Sequence, residues 1–337
     1  MLFSGVPFVT TTGFSASDAK RVSYLFIFAA FVLMVCLHME TILITGLFSY
    51  LAMRKLHAIL PRKWLVVIVF MFFLAGVFYG LGFFANEARK SLPEMASKAI
   101  PSVIEWAQNY QVELPFTDYE SLKKLGMKTV NTQVRFLGSF AHGATRQFVF
   151  MIIGCVVAVN LFVSTVFELD RTPCSAPRNF YSLCCDEIAE RFSTFYQSFD
   201  TVMGAQLTIS AINTTLTTIF VLSAQLPYSV VIIGVTFLCG MLPVVGNLIS
   251  NTVIIGIGFT ISPQMALAAL LFLVVIHKLE YFLNSKIIGG RIRNPIWLTM
   301  LGLVIGESLM GILGMIIAPV ILHYVKVETA KNEISGD

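Results

Sequence analysis

Polar residues able to do chemistry interrupt several long apolar stretches of this 337-residue chain. On one stretch His277 and Glu280 stand at i, i+3 and Glu280 and Asn284 at i, i+4, so each pair can share a helix face. Glu307 sits between Gly306 and Ser308 inside another. In a third, Gln206, Ser210, Asn213 and Thr217 recur at i, i+4, i+7 and i+11, again one helical face. Carboxylates and an imidazole at such depth exchange protons or hold cations, while amides and hydroxyls replace the hydration shell of a polar solute. Hydrogen bonding between helices is the other use of the Gln206 stripe. Snorkelling to the interface suits the long arm of Lys278 and is hard to apply to the short-armed Glu307. The chain has no nucleotide-binding loop, no zinc-ligand cluster and no plausible Ser/His/Asp set. Transport without catalysis is therefore expected, with no catalytic residue, resident metal or cofactor.

The elements that position these residues follow from composition. Hydrophobic residues make up 56% and charged residues 12%, where soluble domains carry about 25% charged. Mean hydropathy is +0.80. The apolar runs are continuous, which favours spanning helices over the alternating strands of a barrel. The net charge of +4 is dispersed among loops and gives no basis for nucleic-acid binding. The six cysteines lack metal-ligand spacing and read as small hydrophobes. An all-α, polytopic helical bundle with about eight hydrophobic segments is expected.

The run 22–53, broken by His38 and Glu40, is about 32 residues and reads as a tight pair of short or tilted helices. Spans are expected at 64–84, 148–167, 202–224 and 265–283. Leu92, Met95, Ala99 and Val103 form an amphipathic stripe in the segment after the third span, to rest on the membrane or on the bundle. Ile188, Phe192, Phe195 and Phe199 form a second stripe leading into the 202–224 span.

Two further apolar runs, 228–261 and 295–325, are too long for one straight crossing. Pro243, Gly246 and Asn247 break the first, with Asn251 one turn beyond, and Gly302, Gly306, Gly311, Gly314 and Pro319 punctuate the second. Lys286, Arg291 and Arg293 lie between them without an acid, which makes that loop cytoplasmic. Counting passes satisfies this only if 228–261 doubles back. Paired broken segments point to a transporter's binding site, with a kinked helix as the alternative.

The division expected is a cytoplasmic tail 1–21, membrane helices 22–85, an amphipathic extracytoplasmic region 86–147, a span 148–167, a cytoplasmic amphipathic loop 168–201, a transport core 202–325 and a cytoplasmic tail 326–337. The ordered motifs Pro243-Val-Val-Gly246, Asn284-Ser-Lys-Ile-Ile-Gly289 and Gly311-Ile-Leu-Gly314-Met-Ile-Ile-Ala-Pro319 resemble the autoinducer-2 exporter family of bacterial inner-membrane transporters. That resemblance implies export of a small polar signal across the inner membrane, with sodium/proton antiport, as described for other members, as the alternative. It also implies a homo-oligomer, a pentamer being one option. The chain departs from the family pattern at Ser285, at His277-Lys278 and at Glu307, where a small residue is usual. A non-transporting membrane scaffold is the third function carried forward.

Overall fold

The computed structural model describes residues 15–111, 145–164, 179–242, 245–287 and 295–331. Among these the chain is helical: α1 Ala16–Cys36, α2 Glu40–His57, α3 Lys63–Asn109, α4 Thr145–Val163, α5 Phe180–Ser223, α6 Ser229–Gly240, α7 Val245–Phe259, α8 Pro263–Ile287 and α9 Ile296–Ala330. Six of them (α1, α3, α4, α5, α8 and α9) are long and apolar enough to cross a membrane. Ser15 and Asp18 cap the start of α1 reciprocally, and Asn179 with Ser182 does the same for α5. Between α1 and α2 the chain turns at His38, whose φ of 52° lies in the left-handed region. The expected helix pair in 22–53 is α1 and α2, but it is not a tight pair: α1 packs on α5, and α2 on α3, α9 and α5.

The run 228–261 is a hairpin. Helix α6 has 12 residues and α7 has 15, about 18 and 22 Å long at 1.5 Å per residue, so neither crosses a hydrocarbon core of about 30 Å. The two helices pack on each other. Gly246 makes the closest approach: a Cβ there would lie 1.7 Å from the Cys239 carbonyl oxygen. No side chain fits that position. Val231, Ile232, Ile254 and Ile257 of the hairpin share a core with Val221 of α5 and Ala269 and Leu273 of α8.

Helix α9 also doubles back, turning at Gly311, where φ is 61° and ψ is −145°. Its arms touch through glycine: a Cβ on Gly314 would sit 1.8 Å from the Gly306 oxygen, and one on Gly302 would sit 3.0 Å from Leu322. The second arm buries Ile316, Ile317 and Val320 against Phe195, Phe199 and Met203 of α5, and the Tyr324 ring meets Phe195 edge-on at 5.6 Å. Leu242, beside the α6–α7 break, and Leu313, beside the α9 reversal, pack on this same cluster. The two hairpins therefore approach the middle of α5 from opposite ends.

At the far end of α9 a buried ion cluster holds the second arm in place. Arg191 is 2% exposed and lies 2.7 Å from Glu187, 3.1 Å from Glu328 and 3.3 Å from Glu190. Tyr24 of α1 donates to Glu328 at 3.1 Å and places its ring 4.8 Å from the Arg191 guanidinium. Lys331 donates to Glu190 at 3.1 Å and to Thr194 at 2.8 Å. A buried guanidinium is tolerated only when paired in this way. The cluster ties α1, α5 and α9 together.

The amphipathic stripe after the third span is no separate helix, because α3 runs unbroken through it to Asn109. It rests on the bundle. The Phe84 ring fills the notch left by Gly234 on α6, Met95 joins the hairpin core, and Trp106 meets Phe259 of α7 at 5.9 Å.

If the glycine contact closes the α9 hairpin, Gly314→Ala destabilises the protein by about 1–3 kcal/mol through overpacking. Gly76→Ala is the control, since no atom lies within 4 Å of its Cβ position. Thermal unfolding in detergent should show a lowered midpoint for the first and a near-unchanged one for the second. Equal midpoints would mean that the arms do not pack through Gly306 and Gly314.

Candidate functional site

Four helices line one polar cleft. From α7 come Asn247, Ser250, Asn251 and Ile254, and from α8 come Leu273, Ile276, His277 and Glu280. Each set falls at i, i+3, i+4 and i+7, so each is a single helical face turned to the other. Helix α5 contributes Asn213 and Thr217, and α6 contributes Thr236 and Gly240. The α6–α7 hairpin supplies the break, and α5 and α8 supply the walls.

Side-chain hydrogen bonds in the cleft join α7 to α8. Asn247 Nδ2 donates to both carboxylate oxygens of Glu280 at 2.9 Å, and the Glu280 side chain is 14% exposed. One turn further along α7, Asn251 Nδ2 lies 2.6 Å from His277 Nε2. With the amide donating, the imidazole proton resides on Nδ1, which faces Glu280 Oε2 at 3.6 Å. The order Asn251, His277, Glu280, Asn247 is a continuous polar chain between two helices. A carboxylate beside an imidazole in a cleft of this kind can take up and release a proton, or hold a cation.

The remaining polar atoms have unfilled capacity. Asn213 Oδ1 and Thr236 Oγ1 are buried and find no hydrogen-bond partner among the described residues. Both belong to residues lining the cleft. Buried oxygens in that condition take a water, an ion or a solute hydroxyl. The cavity between them measures about 20 Å³, about one water molecule.

The Gln206 stripe serves both uses set out for it, on different turns. Gln206 Nε2 donates to the Gly240 carbonyl at 2.6 Å and Ser210 Oγ to the Phe237 carbonyl at 2.9 Å, bonding α5 to the end of α6. Asn213 and Thr217 face the cleft instead. Gly246, Asn247, Asn251, His277 and Glu280 gather at the cleft or its edge. Pro243 lies outside the described residues, as does the side chain of Asn284. Gly311 and Gly314 shape the α9 hairpin and do not line the cleft. Glu307 is exposed on the first arm of α9, apart from the cleft residues. Sequence reasoning passed over Thr236 and Ser250. The signal for Ser250 was its i+3 spacing from Asn247, and Thr236 had none beyond a lone hydroxyl in an apolar run.

The AI-2E family transporter profile matches residues 22–331. Two Bacillus subtilis (strain 168) proteins named as candidate transport proteins are also similar. YdbI is 33% identical over 134 residues, covering 39% of this chain and 38% of that protein. YueF is 35% identical over 106 residues, covering 31% of this chain and 29% of that protein. The aligned part thus spans well under half of either relative.

The Asn247–Glu280 pair should appear as a coupling energy. Asn247→Ala, Glu280→Ala and the double variant form a cycle in which an intact bond gives a non-additive term of about 0.5–3 kcal/mol. Chemical denaturation in detergent measures it. Additive effects would show that α7 and α8 are not joined there.

Proposed function

We propose, from the premise that this chain belongs to the AI-2E transporter family, that it is a secondary transporter moving a small polar, autoinducer-2-like solute outward through the α6–α7/α8 cleft. The chain is a multi-pass membrane protein. The observation that carries the reading is the Asn247–Glu280 contact across a hairpin break. Interrupted helices at membrane depth are tolerated where they line a cavity, and this break lines one. Asn213, Thr217, Thr236, Ser250 and Asn251 offer hydrogen bonds to solute hydroxyls, and Glu280 with His277 offers a site for a coupling proton. No step requires a covalent change in the solute.

The charge pattern supports a bacterial inner-membrane location with both termini in the cytoplasm. Helix α8 then ends on the cytoplasmic side, beside the basic residues Arg291 and Arg293. The α6–α7 hairpin enters from outside and the α9 hairpin from inside. In this arrangement each hairpin covers the midplane site from one face, the geometry alternating access requires.

A specific observation favours the second reading, sodium or lithium/proton antiport. The cavity is about 20 Å³, which suits a bare monovalent ion, and its lining is rich in oxygen acceptors around one carboxylate. A non-transporting scaffold gains no support from a polar cavity at a helix break.

Purified protein in proteoliposomes tests these readings. Labelled autoinducer-2 should leave loaded vesicles faster than from protein-free vesicles, with Asn247→Ala slowing that flux at least tenfold. Flux equal to that of empty liposomes would sink solute export. Sodium- or lithium-driven pH changes that disappear in Glu280→Gln would instead establish the antiport reading, and changes that survive Glu280→Gln would exclude Glu280 as the carrier.

A further inference from the structure

Helix α5 and the second arm of α9 meet along a seam that runs from the hairpin break to the Arg191 cluster. Arg191 and Gln206 stand fifteen positions apart on α5, so the seam is about 22 Å long at 1.5 Å per residue. Its far end is ionic: Arg191 lies 3.1 Å from Glu328, and Lys331 donates to Thr194 at 2.8 Å. Nearer the break it is apolar. Phe195 meets the Tyr324 ring, Phe199 shares a core with Ile317 and Val320, and Leu242 and Leu313 close the end beside the two reversals. The seam therefore lies between the edge of the cleft and the end of the bundle where α9 finishes.

Polar atoms are left unmet along it. Ser198 stands one turn beyond Thr194 on the same face of α5, is 1% exposed, and its hydroxyl has no hydrogen-bond partner among the described residues. On α9 the same holds for Nδ1 of His323, which is 6% exposed, and for the Tyr324 hydroxyl. Buried groups without partners oppose the closed arrangement, and water entering the seam would satisfy all three. The ion cluster acts the other way, because a buried guanidinium separated from its carboxylates is strongly disfavoured. Opposed terms of this kind make a two-state element.

We propose that the seam is a gate: the Arg191–Glu328 pair latches the second arm of α9 against α5, and parting of the two opens a wet path past Ser198, His323 and Tyr324 to the cleft. Phe195, Phe199, Ile317 and Val320 form the dry plug that closes that path here. On the topology proposed above, the gate faces the cytoplasm. It rests on the reading that solute or ion passes through the α6–α7/α8 cleft, and it adds the residues that control access from one side.

A reversible lock tests it in the full chain. Phe195→Cys with Tyr324→Cys, bridged by a short reducible bis-methanethiosulfonate, pins the seam, and wild-type protein treated identically controls for the native cysteines. Hydroxyl-radical oxidation of His323 in lipid nanodiscs, read by mass spectrometry, reports water entry without any solute. The lock should slow that oxidation at least tenfold, and Glu328→Gln, which weakens the latch without a cross-link, should speed it at least threefold. In proteoliposomes the lock should abolish flux of labelled autoinducer-2 and sodium-driven pH changes, and a thiol reductant should restore whichever the unlocked protein shows. Thermal unfolding checks that each variant is folded. Oxidation unmoved by the lock, oxidation unmoved in folded Glu328→Gln, or a locked protein that transports at full rate would each overturn the gate. Slowed oxidation in a protein whose unlocked form carries neither flux would sink the transport reading and leave the opening of the seam standing.

Discussion

Helix α6 stops inside the bundle, and the carbonyl groups of its last turn have no donors within the helix. In water such groups would be solvated, but at membrane depth they must be met by protein. Gln206 and Ser210 of α5 supply the missing donors to Gly240 and Phe237. Because those bonds are satisfied, the chain can reverse where it does. The reversal in turn brings Asn247 to Glu280 and leaves a cavity. The break in the cleft wall is thus stabilised by a neighbour that caps the end of the broken helix.

The second hairpin solves the same problem differently. Its arms meet through Gly306 and Gly314, so backbone packs on backbone and the reversal at Gly311 needs a φ that other residues rarely adopt. Its far end is fixed by the Arg191 cluster, where one buried guanidinium answers carboxylates on α5 and α9 and a tyrosine from α1. Close packing at one end and ionic pairing at the other hold the second arm against α5. Both hairpins thus use α5 as a common spine.

Much of this was legible in the sequence, for physical reasons that can be named. Apolar runs too long for one crossing, interrupted by Pro243 and Gly246 or by Gly311 and Gly314, announce reversals because backbone geometry constrains where they can occur. Helical spacing placed Asn247 and Asn251 on one face and His277 and Glu280 on another. Spacing within a helix does not say which helix lies opposite, so the joining of those two faces could not be read. The depth rule that marked Glu307 was sound about cost and silent about direction, and the residue faces outward. Arg191 escaped notice because a single basic residue in an acidic segment resembles any solvated charge until its burial is known. The continuity of α3 was hidden because its apolar run ends near residue 84 and an amphipathic stripe follows, a change of pattern that separate helices would show as well, and the helix runs straight through it.

That continuity has a mechanical meaning. Phe84 seats in the notch at Gly234 on one leg of the first hairpin, and Trp106 abuts Phe259 on the other. A single rod is therefore fastened to both legs, as a splint is fastened to a fractured limb. Splinted legs resist parting. Across the cleft, the bonds from Asn247 to Glu280 and between Asn251 and His277 lash this splinted body to α8.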